Sequence, residues 1–181
     1  MILIVDMNWK KDSIGFYEFV LPIAAVAQKL DNYFVRHYFD LTDEDLKECD
    51  RIILSGTALK DTATLSHLEK FRWLKETEKP VLGICAGMET LGMVFGARLV
   101  KCVEIGMTPI TNITENPLLS GDYTAYSLHS YCVEASGIFE VWAQSKKCIQ
   151  VMKHKNKKIC GVLFHPEVRN PEILKRFITV F

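Results

Sequence analysis

Short aliphatic runs alternate with segments of helical spacing through the first half of the chain. Ile2-Leu3-Ile4-Val5, closed by Asp6, is apolar at every position. Such a run predicts a strand buried on both faces, as in a parallel sheet. Tyr33–Tyr38, Arg51–Leu54 and Val81–Ile84 predict three more strands. Between them, Phe16–Leu30 carries apolar residues one helical turn apart, and Pro22 inside it predicts a kink or a late start. Asp43–Glu48 predicts a short acidic helix, and Ser66–Glu76 and Gly87–Phe95 predict two more. Repeated strand–helix units imply right-handed crossovers, hence an α/β fold with an open, mostly parallel sheet and helices on both faces.

Beyond Gly96 the pattern changes. Gly106–Ile113, Tyr123–Leu128, Phe139–Ser145, Ile149–His154 and Ile159–Phe164 are short and rich in β-formers, with turn residues between them. They predict an antiparallel or mixed extension of the sheet. Lys153–Lys158 fits a solvated hairpin turn, and a last helix is expected over Pro171–Val180, with Pro in its first turn. With no internal repeat or linker, the expectation is one domain over residues 1–181.

Composition narrows the function classes. Of 181 residues 49% are hydrophobic, enough for a core, and the formal net charge is zero. A zero balance argues against nucleic acid or an anionic membrane as the main partner, because both need a basic excess. No apolar stretch approaches the ~20 residues that cross a bilayer. The six cysteines form no C-x-x-C pair, so neither a zinc ribbon nor a thioredoxin-type motif is expected, and no metal or cofactor. A reducing, cytoplasmic compartment follows.

The sharpest local signal is Gly83-Ile84-Cys85-Ala86-Gly87, between a buried strand and a helix. Small residues around a nucleophile permit a tight strand-to-helix turn. Such a turn presents the sulfur at the carboxyl end of a central strand, where open α/β folds bind ligands. It also sets the thiol at a helix N-terminus, which favours the thiolate, and aims the Ala86 amide at any oxyanion formed on an attacked carbonyl. The bland reading is a buried structural cysteine, and the other five cysteines are assigned to it. A thiolate nucleophile needs a base. His165 ends a predicted strand in Phe164-His165-Pro166-Glu167, and Glu167 is placed to accept the imidazole N–H. Cys85, His165 and Glu167 thus make a candidate acyl-transfer triad. His37 and His67 read as surface or packing residues and His154 as part of the basic hairpin.

With these motifs in hand, the sequence resembles a class I (triad-type) glutamine amidotransferase domain. The resemblance runs from the strand ending at Asp6, through Ile52–Gly56 and the Gly83–Gly87 elbow, to Gly161–Glu167. Within the family, Gln150–Lys155 through Val168 most resembles the separate glutaminase subunit of archaeal-type GMP synthase. The resemblance implies that Cys85 attacks the side-chain amide of glutamine to form a γ-glutamyl thioester. It implies that His165 protonates the leaving ammonia and then activates water, and that Glu167 orients His165. It further implies an oxyanion site from the Gly56-Thr57 loop and Ala86, and substrate contacts at Glu89 and at His129-Ser130-Tyr131. An ATP-dependent synthetase on another polypeptide would take the ammonia.

Four departures from the family pattern stand out. Gly56-Thr57-Ala58 replaces a usual Gly-Gly-Pro, and Thr57 disfavours the positive φ a second glycine would allow. Glu89 stands where many members carry Gln; an ionised carboxylate accepts hydrogen bonds but cannot donate them. Tyr131 stands where GMP synthase glutaminases carry Asp. Trp9, in an opening loop unlike the usual Asp-Asn-Gly-Gly-Gln, is either an exposed aromatic for a partner or folded back on the sheet. Besides the glutaminase subunit, two other readings remain open: a free-standing hydrolase of γ-glutamyl compounds, and a non-catalytic regulatory module on the same fold.

Overall fold

The computed structural model describes residues 1–134 and 136–181. Its nine strands form a sheet in the order β2-β1-β3-β4-β9-β8-β7-β5-β6. The strands are β1 (Ile2–Asp6), β2 (Tyr33–His37), β3 (Arg51–Leu54), β4 (Val81–Ile84), β5 (Leu99–Asn112), β6 (Tyr123–Val133), β7 (Phe139–Gln144), β8 (Ile149–His154) and β9 (Ile159–Val162). From β2 to β9 neighbours pair parallel; from β9 onward they pair antiparallel. The predicted parallel half and antiparallel extension are therefore both present.

Both sides of the parallel half are covered. Along β1, Ile2 and Ile4 pack into one apolar cluster with α1 (Leu21–Ala27) and α4 (Pro171–Val180). Leu3 and Val5 pack into the opposite cluster with α3 (Ala86–Val94) and Phe71 and Leu74. Alternation along a strand sends successive side chains to opposite faces, so an all-apolar run needs two apolar layers. The short α2 (Asp43–Glu48) starts at a capping box: Thr42 Oγ1 accepts from the Asp45 amide at 3.2 Å, and Asp45 accepts from the Thr42 amide at 3.0 Å.

Several boundaries differ from expectation. A π-helical turn over Phe16–Val20 precedes α1, and Pro22 falls in the first turn of α1, so the helix starts late. The segment predicted as a helix over 66–76 is two 3₁₀ helices, Ala63–Ser66 and Leu68–Lys75, broken at His67 (φ −130°, ψ 38°). Phe71 and Leu74 lie three apart and are both buried, which suits three residues per turn. Strands β5 and β6 run longer than predicted, because polar Lys101, Glu104, His129 and Tyr131 mask their outer halves. Strand β9 stops at Val162, two residues short of expectation. The chain then leaves β4, and the amide of His165 donates to the Tyr126 carbonyl of β6 at 2.8 Å. The basic stretch does make the β8–β9 turn, but His154 is buried against Phe95 and Phe139.

Candidate active site

Cys85 closes β4 and caps α3 with φ 47°, ψ −105°, one of two non-glycine residues at positive φ among the described residues. A side chain at these angles is strained by roughly 1–3 kcal/mol, and strain of this size persists only where surroundings enforce it. Here the Cys85 amide donates to the Val162 carbonyl at 2.8 Å, and the Cys85 carbonyl accepts from the Glu89 amide at 2.9 Å. The flanking glycines serve close approach. A β-carbon on Gly87 would meet the Leu54 carbonyl oxygen at 2.7 Å, and one on Gly83 would meet Gly87 backbone at 2.6 Å. The elbow is thus pressed onto β3 and leaves the cysteine to carry the unusual angles.

The three residues of the expected triad come together. His165 Nδ1 and Glu167 Oε1 are 2.7 Å apart, fully buried. The carboxylate accepts, so Nδ1 carries a proton; Nε2 presents a lone pair in the neutral ring and a second N–H in the charged one. Nε2 is buried with no hydrogen-bond partner among the described residues. Burial drives the imidazole down, but Glu167, and Cys85 whenever it is a thiolate, outweigh it and hold His165 well above the usual histidine range. Gly56 is packed against the same ring; a β-carbon there would lie 2.5 Å from His165 Cε1. Phe19 closes the other side, 5.0 Å between ring centres.

The thiol departs from expectation. Instead of an open presentation, Cys85 is only 4% exposed, and its S–H donates to the Leu128 carbonyl at 3.6 Å. Burial pushes its pKa up, and the pull of His165 does not fully offset that. The helix N-terminus, worth about 0.3–1 kcal/mol, loses to desolvation, so the resting group is the thiol. The covering walls are the loop from Thr57 to Thr62 and the β6 segment Leu128–Tyr131. They leave a cavity of about 10 Å³, room for about one water.

That cavity is lined by the residues singled out in the sequence: Thr57, Ala86, Glu89, Ser130 and Tyr131 beside Cys85. His129 also borders it, but both ring nitrogens are engaged on β5, Nδ1 with the Cys102 carbonyl at 3.1 Å and Nε2 with Glu104 at 3.2 Å. Glu89 is buried, and burial raises its carboxyl to about 8, opposed by the charge of His165. Neither Gly56 nor Thr57 has positive φ. The Ser55 hydroxyl donates to the Gly56 carbonyl at 3.0 Å and fixes that peptide, while the Gly56 and Thr57 amides meet no acceptor among the described residues. The roles of the Leu128 and Tyr126 carbonyls and of Phe19 carry no sequence signal; only the crossing of β9 toward β6 creates them.

Residues 16–180 match the family model of class-I glutamine amidotransferases. The chain belongs to this family. Its curated relatives include a subunit of the glutamine-hydrolyzing GMP synthase of Methanococcus maripaludis strain C6, 38% identical over 148 residues, covering 76% of this chain and 75% of that one. The protein of the same name in Saccharolobus solfataricus is 31% identical over 149 residues, covering 76% and 79%. Among solved structures, one named as a GMP synthase subunit from Thermoplasma acidophilum superposes with TM-score 0.83 at 24% identity, covering 98% of this chain and 92% of that one. A glutamine amidotransferase of Thermotoga maritima follows with TM-score 0.73 at 19% identity, covering 98% and 80%. These two structures share the amidotransferase fold of mixed, mostly parallel sheet. No helix among the described residues is long and apolar enough to cross a membrane.

Proposed function

We propose that this amidotransferase is a glutaminase subunit that hydrolyses glutamine through a Cys85 thioester and delivers ammonia to a separate ATP-dependent synthetase, in GMP formation. The observation that carries the reading is the buried pair of His165 Nδ1–H and Glu167, which leaves Nε2 unpartnered beside the strained thiol. Nε2 takes the Cys85 proton as sulfur attacks the glutamine carboxamide. The oxyanion falls to the amides of Gly56, Thr57 and Ala86; Ala86 opens α3, where no intrahelical acceptor exists. His165 then protonates the departing ammonia, and the thioester is hydrolysed by water that His165 activates. Glu89, Ser130, Tyr131 and the backbone at His129 hold the substrate. The names of the relatives support GMP synthesis as the setting.

Glutamine does not fit a cavity of about 10 Å³. Substrate entry requires the Thr57–Thr62 loop or the Leu128–Tyr131 strand to move, and docking of a synthetase beside that loop supplies the cause. Activity is therefore expected to be weak alone and strong with the partner. The test is ammonia release from glutamine by the wild type and by Cys85→Ala. The variant should lose activity by at least about 10⁴-fold while its circular dichroism is unchanged. Undiminished turnover in Cys85→Ala would sink the assignment.

A further inference from the structure

Behind the wall of the active cavity lies a second cluster of chemistry-bearing side chains. Cys102 comes from β5, Cys132 from β6 and Cys148 from the β7–β8 turn, and their three sulfur atoms lie within 4.8 Å of one another. Cys148 also belongs to a second group, with Glu104 and His129, whose donor atoms meet the same limit. All three cysteines are free thiols, Cys132 buried and the other two half-buried. The residues are brought together by an irregularity in the β5–β6 ladder. Between the pairs Lys101–Tyr131 and Glu104–His129, Cys102 and Val103 oppose Ser130 alone. That bulge re-aims the β5 side chains. The β7–β8 turn is fastened over it: Ser145 Oγ accepts from the Cys148 amide at 3.2 Å, and Lys147 Nζ donates to the Val103 carbonyl at 2.9 Å.

A separate observation comes from His129. Its Nδ1 faces the Cys102 carbonyl, which can only accept, so Nδ1 bears the proton. In the neutral ring, Nε2 is then a lone pair aimed at Glu104 Oε2, another acceptor, 3.2 Å away. Glu104 Oε2 already accepts from Gln150 Nε2 at 2.6 Å and from the Cys148 thiol at 3.5 Å, so one proton between Nε2 and Oε2 settles the pair, and a cation bound at Nε2 would replace that proton. An imidazole whose Nδ1–H is tied to a backbone carbonyl is also oriented as metal-ligating histidines are.

We propose that Cys102, Cys132 and Cys148, with His129 Nε2 in the fourth position, form a structural site for one soft divalent cation of the zinc class. In a tetrahedral site with Zn–S near 2.3 Å, sulfur atoms stand roughly 3.8 Å apart, so the three thiols need only small side-chain rotations, while His129, grouped with Cys148 but not with Cys102 and Cys132, has further to close in. Thiolates are the ligands, and each thiol gives up its proton to solvent on binding. His129 suits the fourth position better than Glu104, because a neutral ligand adds no charge to a site already rich in thiolates. The cation would pin β6 directly behind Leu128–Tyr131, the wall of the catalytic cavity.

The experiment uses the full chain, reduced and stripped of metal, titrated with Co²⁺ and then Zn²⁺. It is run on the wild type and on Cys85→Ala, which removes the elbow thiol. Expected are one Co²⁺ per chain, thiolate-to-cobalt charge-transfer absorption with tetrahedral d–d bands, displacement by Zn²⁺, and the same spectrum in Cys85→Ala. Cys148→Ala should weaken affinity by at least about 100-fold. Mass-spectrometric mapping of alkylated thiols on the wild type needs no variant and serves if Cys148→Ala does not fold; Zn²⁺ should shield Cys102, Cys132 and Cys148 and leave Cys49 and Cys160 unaffected. Absence of the charge-transfer band, its loss in Cys85→Ala, its persistence in Cys148→Ala, or Zn²⁺ shielding of other cysteines would each overturn the proposal.

Discussion

At the scale of single residues, Glu89 shows a competition that sequence position misjudges. A carboxylate in the first turn of a helix gains about 0.3–1 kcal/mol from the helix dipole when ionised. Here the side chain is buried beside Cys85, and desolvation dominates, raising its pKa to about 8. At neutral pH it is therefore a neutral acid with one O–H donor and one carbonyl acceptor, close in shape and hydrogen-bonding to a glutamine side chain. The sign of the linkage follows. Because the folded pKa exceeds the ordinary value of 4.5, the proton favours the fold, with its full contribution below pH 4.5. That contribution is lost as pH rises toward 8, up to on the order of 4 kcal/mol. Melting temperatures between about pH 5 and 9 should fall for the wild type and fall distinctly less for Glu89→Gln. Parallel profiles for the two proteins would refute the neutral-acid account. Cys85, His165 and Glu167, the reacting group proposed above, were readable as candidates from Gly83–Gly87 and Phe164–Glu167 alone. The protonation of Glu89 and Cys85 was not, because burial is decided by chain segments remote in sequence.

Among elements, those with strong local signals formed as expected. The runs with aliphatic cores became β1, β3 and β4, and the acidic segment with Thr42 before it became α2. Thr42→Ala removes the hydroxyl that accepts from the Asp45 amide and should cost about 1 kcal/mol in urea unfolding. An effect below a few tenths of that size would show that the Arg36–Asp45 ion pair, rather than the cap, holds the helix start. Elements with weak or conflicting signals moved. The outer halves of β5 and β6 hid because their usual pattern is inverted, with polar Glu104 and His129 buried and apolar Val103 and Ile105 exposed, and the 66–76 segment tightened to 3₁₀ because its buried residues recur every three positions. The early end of β9 matters most: leaving the ladder at Val162 lets the chain cross to β6 and sets His165 against Tyr126.

For the molecule as a whole, the face beside the active cavity carries the partner question. Trp9, the undecided residue of the opening loop, is 63% exposed and Ile14 is 76% exposed. Together with the Lys60–Ala63 segment they border an open cavity of about 700 Å³. The Trp9 amide donates to Asp61 at 2.8 Å, and Thr57 in turn donates to the Asp61 carbonyl at 3.1 Å. A synthetase seated here would act directly on the loop that closes over Cys85. Trp9→Ala with Ile14→Ser should leave weak basal glutaminase activity within about twofold and cut activation by the synthetase at least about tenfold, since buried aromatic anchors dominate such interfaces. Full activation of the double variant would move the docking face elsewhere. What the sequence determined by itself was the set of elements, the parallel and antiparallel halves, and the strand-to-helix turn at Cys85 with His165 as its candidate base, because periodicity and short motifs act through neighbouring residues. Which groups are desolvated, how tightly the thiol is covered, and that Cys102, Cys132 and Cys148 meet were decided only by tertiary structure. Those properties depend on which distant strands pair and in what register, and no local pattern in the chain encodes that.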